Sequence, residues 1–209
     1  MKDLQVWTEE ERTILEALNT PAAVQAFLDA IPYNDDKQCR SPRRVLRDRR
    51  AHCMEGALFA AAVLRSHGRG CRIVDLRSVR DDDHVIAVYR DFGCWGAVAK
   101  SNIAGLRYRE PIYRSLRELA VSYFADYFNT VRERSLRAYS RPVDLRRFDR
   151  MAWMTTEEDL DALGQYLDTV HHTPLVTEAM IAAFCLVDQR TWDANMVGVN
   201  PAGLFMVED

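Results

Sequence analysis

Lysine is nearly absent from this sequence: Lys2, Lys37 and Lys100 are the only three, and the remaining basic residues are arginines. The 28 lysines and arginines stand against 31 acidic residues, a net charge of −3, so no basic excess points to general nucleic-acid binding. No apolar run of about 18 residues occurs, which argues against a membrane span. No CxxC pair occurs either. The five cysteines stand at 39, 53, 71, 94 and 185, odd in number and widely spaced, so neither a zinc knuckle nor a disulfide framework is expected. The start, MKDLQVWTEEER, turns acidic too soon for a secretory leader. A cytoplasmic protein with free thiols is the expectation. Repeats, low-complexity stretches and linkers are also missing, which suits a single domain over residues 1–209. What is there, 48% hydrophobic and 28% charged residues, is enough to build a buried core.

Thr8 with Glu11 forms a capping-box pattern ahead of a helix, and Pro21 opens a second. Ser41-Pro42 starts a short third. Met54, Ala57, Leu58, Ala61 and Leu64 recur with helical period over 53–67, and Gly68 stands where a helix terminates. The period then changes. CRIVDLRSV (71–79), HVIAVYR (84–90) and CWGAVAK (94–100) read as strands, the last two joined by a short loop containing Gly93. A helix, a strand and a hairpin without crossover helices indicate an α+β fold. Pro111 opens a predicted helix over 111–129, and RFDRMAWM (147–154) reads as an extra strand. Further helices are expected near 157–169, capped by Thr155 or Thr156, and after Pro174. The core is placed at about 33–130, with a helical extension at about 135–209.

The helix beginning at Cys53 raises a chemical question. The first turn of a helix presents unpaired N–H groups and the positive end of its dipole, and both stabilise a thiolate. The same N–H groups can receive the oxyanion formed when a thiolate attacks a carbonyl. A base is also needed, and His84 opens the strand that follows the acidic run 81–83. Pairing Arg90 with Cys94 across the hairpin sets His84 opposite Lys100 and puts Asn102 diagonally on the same face. A slip of one residue brings Ser101 opposite instead. The segment AKSN (99–102) is therefore expected to supply the group that orients the imidazole.

SPRRVLRDRRAHCMEGALFAAAVLRSHG, CRIVDLRSV and DHVIAVYRDFGCWGAVAKSN together resemble the transglutaminase-like branch of the papain-like cysteine enzymes, over roughly residues 33–102. The resemblance implies a Cys-bearing helix packed on an antiparallel sheet, with added helices at both ends. It implies Cys53 as nucleophile, His84 as general base and Asn102 as the third member. The Cys53 N–H would form part of the oxyanion hole. The substrate would be a peptide or a small amide or thioester. Hydrolysis would give a peptidase or amidase, and capture by an amine an acyltransferase; no metal or organic cofactor is implied. Where this family usually has aspartate, AKSN holds no acid. Asn102, Ser101 or Asp75 is left to complete the triad, and Lys100 opposite His84 would disfavour an imidazolium. Gln38 and Tyr33 are candidates for a second oxyanion donor. The alternative is a binding or scaffold protein that keeps the fold without efficient chemistry.

The remaining polar residues have plainer readings. Cys71, Cys94 and Cys185 read as core. His52 reads as a loop residue, His67 as a helix-end residue, and His171-His172 as a solvated turn. Asp81 to Asp83 read as a solvated loop. The arginines of 40–50 read as a face paired with Asp35, Asp36 and Asp48 rather than as a phosphate or RNA site.

Overall fold

The computed structural model describes residues 6–207. Residues 1–5, on which part of the reading of the chain's start rests, lie outside the described residues. Helices α1 (Glu9–Ala17), α2 (Pro21–Asp29) and α3 (Pro42–Asp48) precede α4 (Cys53–Ser66). Three strands follow: β1 (Arg72–Ser78), β2 (His84–Asp91) and β3 (Cys94–Val98). Then come β4 (Arg109–Tyr113), α5 (Leu116–Val121), β5 (Leu136–Ser140), β6 (Val143–Asp144), α6 (Asp161–Asp168), β7 (His172–Pro174), α7 (Glu178–Ala182) and α8 (Gln189–Asn195). The sheet is antiparallel, in the order β4-β3-β2-β1-β5-β7, with β6 also pairing β1. The fold is α+β.

The caps explain where the first helices start. Thr8 and Glu11 exchange side-chain and backbone bonds, Thr20 accepts from Ala23 N–H, and Ser41 accepts from Arg44 N–H. Helix α4 is apolar nearly all round and correspondingly buried from Met54 to Leu64. It packs against the sheet face bearing Ile73, Val85, Ala87 and Tyr89. The opposite face, with Val74, Leu76, Ile86 and Val88, is covered by Leu106, Leu119, Tyr123 and Tyr127. Gly56 lets α4 approach the end of β3, because a Cβ there would collide with Lys100 Cβ. Gln25 ties α2 to the same place, donating to Ala99 O at 2.9 Å and accepting Ala99 N–H at 3.0 Å.

Several expectations are corrected. The hairpin pairs Arg90 with Trp95 and Asp91 with Cys94, which is the one-residue slip left open as the alternative rather than the first register. Its two-residue turn, Phe92-Gly93, has φ of 54° and 77°, and two positive φ values fit the twist of a tight hairpin. Residues 111–129 do not form one long helix. Pro111 sits inside β4, whose partner is β3, and only the short α5 follows. Pro111 has no N–H to give, and an edge strand is where a sheet tolerates that. Residues 145–151 form a 3₁₀ turn, not a strand. The helix expected near 157–169 begins at Asp161, after Leu160. Pro174 ends β7, and the short α7 starts only at Glu178. The expected helical extension thus gives three strands to the sheet, because Leu136 and its neighbours complete the β1 edge.

Candidate active site

Cys53 is the first residue of α4, as the sequence indicated. The start of that helix is held by a buried carboxylate. Glu55 accepts from His52 N–H at 2.7 Å, Arg40 N–H at 2.8 Å, Asn34 Nδ2 at 3.0 Å and Arg40 Nη1 at 3.2 Å. Arg40 is itself buried and also pairs with Asp36 and Asp48. This network fixes the loop before Cys53; the pairing of Arg40 with Asp36 and Asp48 is the one expected from sequence, and the buried Glu55 at its centre is not. The arginine cluster is largely spent on such pairs: Arg43 binds Glu11, and Arg47 binds Asp48 and Glu157.

The sulfur of Cys53 lies against the backbone on either side of His84. Its hydrogen bond goes to Asp83 O at 3.8 Å, and the Val85 N–H faces it from the other side. Burial pushes the thiol up to about 11, against the lesser opposing influence of the Val85 and Met54 N–H groups. The Cys53 N–H faces the Tyr33 hydroxyl, whose own pKa burial raises well above the ordinary phenol. Tyr33, a candidate second oxyanion donor, therefore stands beside the helix start. Gln38 instead accepts from Arg44 Nη2.

His84 is buried on the sheet face away from α4, sharing the orientation of Ile86 and Val88. Its Nε2 donates to Leu106 O at 2.8 Å, and Tyr123 and Tyr127 meet its ring edge-on at 6.3 and 6.4 Å. A carbonyl can only accept, so Nε2 carries the hydrogen and Nδ1 bears the lone pair. Burial lowers the ring's pKa to about 4, keeping it neutral at pH 7. Cys53 and His84 line one inner cavity of about 70 Å³, with Asp81, Asp82 and Ser101 in its wall. Among the described residues, no hydrogen bond joins the sulfur to the ring.

Asn102 and Ser101, two of the expected third members, line the same cavity, but their side chains bond to other groups than the His84 ring. Asn102 spends its side chain on Asn200, donating to its carbonyl and accepting its N–H, both at 2.8 Å. Ser101 caps its own turn by accepting Ile103 N–H at 3.0 Å. The imidazole's partner is the Leu106 carbonyl, a group no side-chain motif reveals. Lys100 is not opposed to His84. Its Nζ donates to Leu28 O at 2.8 Å and Ile31 O at 2.6 Å, where its charge meets the negative end of α2.

Asp75 is buried on β1 and accepts His172 Nε2 at 2.7 Å, while His172 Nδ1 donates to Val170 O at 2.7 Å. His172 is therefore not the solvated turn residue it was expected to be. The run 81–83 lies in the loop between β1 and β2, with Asp82 exposed as expected but Asp81 and Asp83 half-buried and bonded. Asp81 accepts Ser135 Oγ at 2.5 Å, and Asp83 accepts Ser78 N–H at 2.6 Å. Cys71 is buried, Cys94 half-buried and Cys185 exposed, so the core reading fails for Cys185, which lies past the last buried strand. No three acidic, histidine or cysteine side chains converge as metal ligands among the described residues. No helix there is long and apolar enough to cross a membrane.

No family model and no curated protein matches this chain. The functional reading therefore rests on the site itself.

Proposed function

We infer that the chain is a thiol-dependent acyl-transfer enzyme of the transglutaminase-like, papain-related kind, acting on an amide or thioester carbonyl. One observation carries this reading. Cys53, at the start of α4, and His84, anchored through Nε2 so that Nδ1 holds the lone pair, line the same cavity. In the reaction, Sγ forms a bond to the carbonyl carbon while its proton passes to His84 Nδ1. The carbonyl oxygen becomes an oxyanion near the N–H groups of the helix start and the Tyr33 hydroxyl. Collapse breaks the bond to the leaving amine or thiol, which takes the proton back from the imidazole. Water or an amine then attacks the acyl-thioester and releases Cys53.

Leu106 O orients the ring but supplies no full negative charge for an imidazolium. The chemistry is accordingly that of a neutral thiol and a neutral base, not of a preformed ion pair. A scaffold function is the second reading, and it is favoured by the missing sulfur–imidazole hydrogen bond and by a thiol that burial holds protonated.

Acyl transfer from a peptide thioester separates the two. Wild type should release thiol and carry the acyl mass on Cys53, while Cys53→Ala and His84→Gln should lose at least tenfold in rate. Equal rates in wild type and both variants would leave only the scaffold reading.

A further inference from the structure

Cys53 opens onto two spaces, not one. Besides the inner cavity it shares with His84, it lines an outer groove of about 770 Å³ that His84 does not reach. The inner cavity holds only a few waters, whereas the outer groove is of ligand size. Gly203, Leu204 and Phe205 line both spaces, as do Tyr33, Asp82 and Asp83.

The segment that carries Gly203, Leu204 and Phe205, 200–207, is held chiefly by its backbone. Asn102 takes the N–H and C=O of Asn200, and Thr130 Oγ1 donates to Phe205 O at 3.2 Å and accepts Val207 N–H at 3.3 Å. Between these two clamps Gly203 passes Tyr33 so closely that a Cβ would stand 2.7 Å from the ring. Phe205 and Met206 remain exposed, 40% and 67%, so little apolar burial holds the segment down. Pro201–Gly203 form a 3₁₀ turn between the clamps, and the reciprocal side-chain bonds on either side of it go to backbone N–H and C=O groups, so they are indifferent to sequence. The outer groove also has Asp35, Asp82 and Asp161 in its wall and no lysine or arginine, which favours positive charge.

We propose that segment 200–207 is a strap lying in the substrate track of Cys53, and that the substrate is a cationic peptide that displaces it, taking its backbone bonds on Asn102 and Thr130. Release of the strap joins the inner cavity to the outer groove, so that a carbonyl entering from the acidic side reaches both Cys53 and His84. This proposal rests on the acyl-transfer reading for its substrate, but the strap itself is tested without it.

The experiment is modification of Cys53 in the full chain, followed by mass mapping of the peptide that carries Cys53, in wild type, Gly203→Val and Thr130→Ala. The first variant drives the segment off Tyr33, and the second removes one clamp without touching the reacting groups. Iodoacetamide should label Cys53 at least tenfold faster in both variants, and the peptide acetyl-Asn-Pro-Ala-Gly-Leu-Phe-Met-amide should protect Gly203→Val. A cationic thiosulfonate should react faster than an anionic one. Labelling rates unchanged in both variants would overturn the strap, and faster anionic reagent would overturn the cationic preference. Each variant is then combined with His84→Gln in the peptide thioester assay. Faster labelling with thioester turnover indifferent to His84 would keep the strap and sink the acyl-transfer reading. Turnover dependent on His84 in wild type, with labelling unmoved by the strap variants, would do the reverse.

Discussion

The His84 ring gives its Nε2 hydrogen to the Leu106 carbonyl at 2.8 Å. That single bond fixes the tautomer and leaves Nδ1 as the basic atom. It also has a consequence for stability. Burial lowers the imidazole's pKa from 6.5 to about 4, so between those values the unfolded chain binds the extra proton. The stabilisation is complete above pH 6.5 and is lost as pH falls through 4, by about 3 kcal/mol. Urea titrations of wild type and His84→Gln at pH 7 and pH 4.5 should show a larger acid loss in wild type. Parallel losses would contradict the burial of a neutral ring.

Asp81 has the opposite sign. Burial raises its carboxyl from 3.8 to about 6, despite the bond from Ser135. The folded state keeps the proton longer than the unfolded chain, so this contribution is full below 3.8 and disappears as pH rises through about 6. Asp81→Asn should therefore gain on the order of 2 kcal/mol over wild type at pH 8 and nothing at pH 4. An equal gain at both would mean the carboxylate is not strained by burial.

Glu55 is fully buried and accepts four hydrogen bonds, two of them from Arg40. Glu55→Ala leaves Arg40 and the His52 N–H without that partner and should cost about 3–5 kcal/mol. Because the network sets the first turn of α4, the milder Glu55→Gln should reduce acyl transfer more than it reduces stability. Denaturation alongside thioester turnover reads both.

Gly56→Ala opposes two known effects. Alanine favours a helix over glycine by about 1 kcal/mol. Here its Cβ would collide with Lys100 Cβ, whose amine is pinned to Leu28 and Ile31, so overpacking of about 1–3 kcal/mol should win. A lowered melting temperature is expected, and a raised one would show that α4 can back away from β3.

His172 and Asp75 join β7 to β1 through a buried pair. His172→Ala leaves Asp75 buried and unpaired, at a cost of about 3 kcal/mol or more, and Asp75→Asn in the same chain should return part of it. A double-mutant cycle measures that coupling, and a coupling near zero would contradict the pair's role.

Much of this was legible in the residues, and what was missed has physical causes. The cap at Thr8, the helix from Cys53 and the strands around His84 show in sequence because capping, helical period and β-branching are local. The hairpin register slipped by one because the turn takes two residues, Phe92 and Gly93, and nothing in the strand pattern counts them. Residues 111–129 misled because Tyr113, Leu116 and Tyr123 keep a helical spacing while belonging to a strand, a helix and a turn. The partner of His84 is a main-chain carbonyl, which has no letter in a sequence. Lys100 is a buried charge whose partners Leu28 and Ile31 arrive from a distant segment, and Glu55 gathers Asn34 and Arg40 besides the nearby His52 N–H, so their roles were invisible until the chain was folded.

Under the proposal, Cys53 gains its reactivity from His84 once the covering segment is released. The direct measurement is the pH dependence of Cys53 alkylation in Thr130→Ala, with and without His84→Gln. The inflection should fall from about 11 in the covered protein toward about 8.5, the free-thiol value, and the rate at pH 7 should drop at least tenfold when His84, the base that takes the proton, is replaced. An inflection that stays near 11, or a rate at pH 7 indifferent to the imidazole, would contradict it.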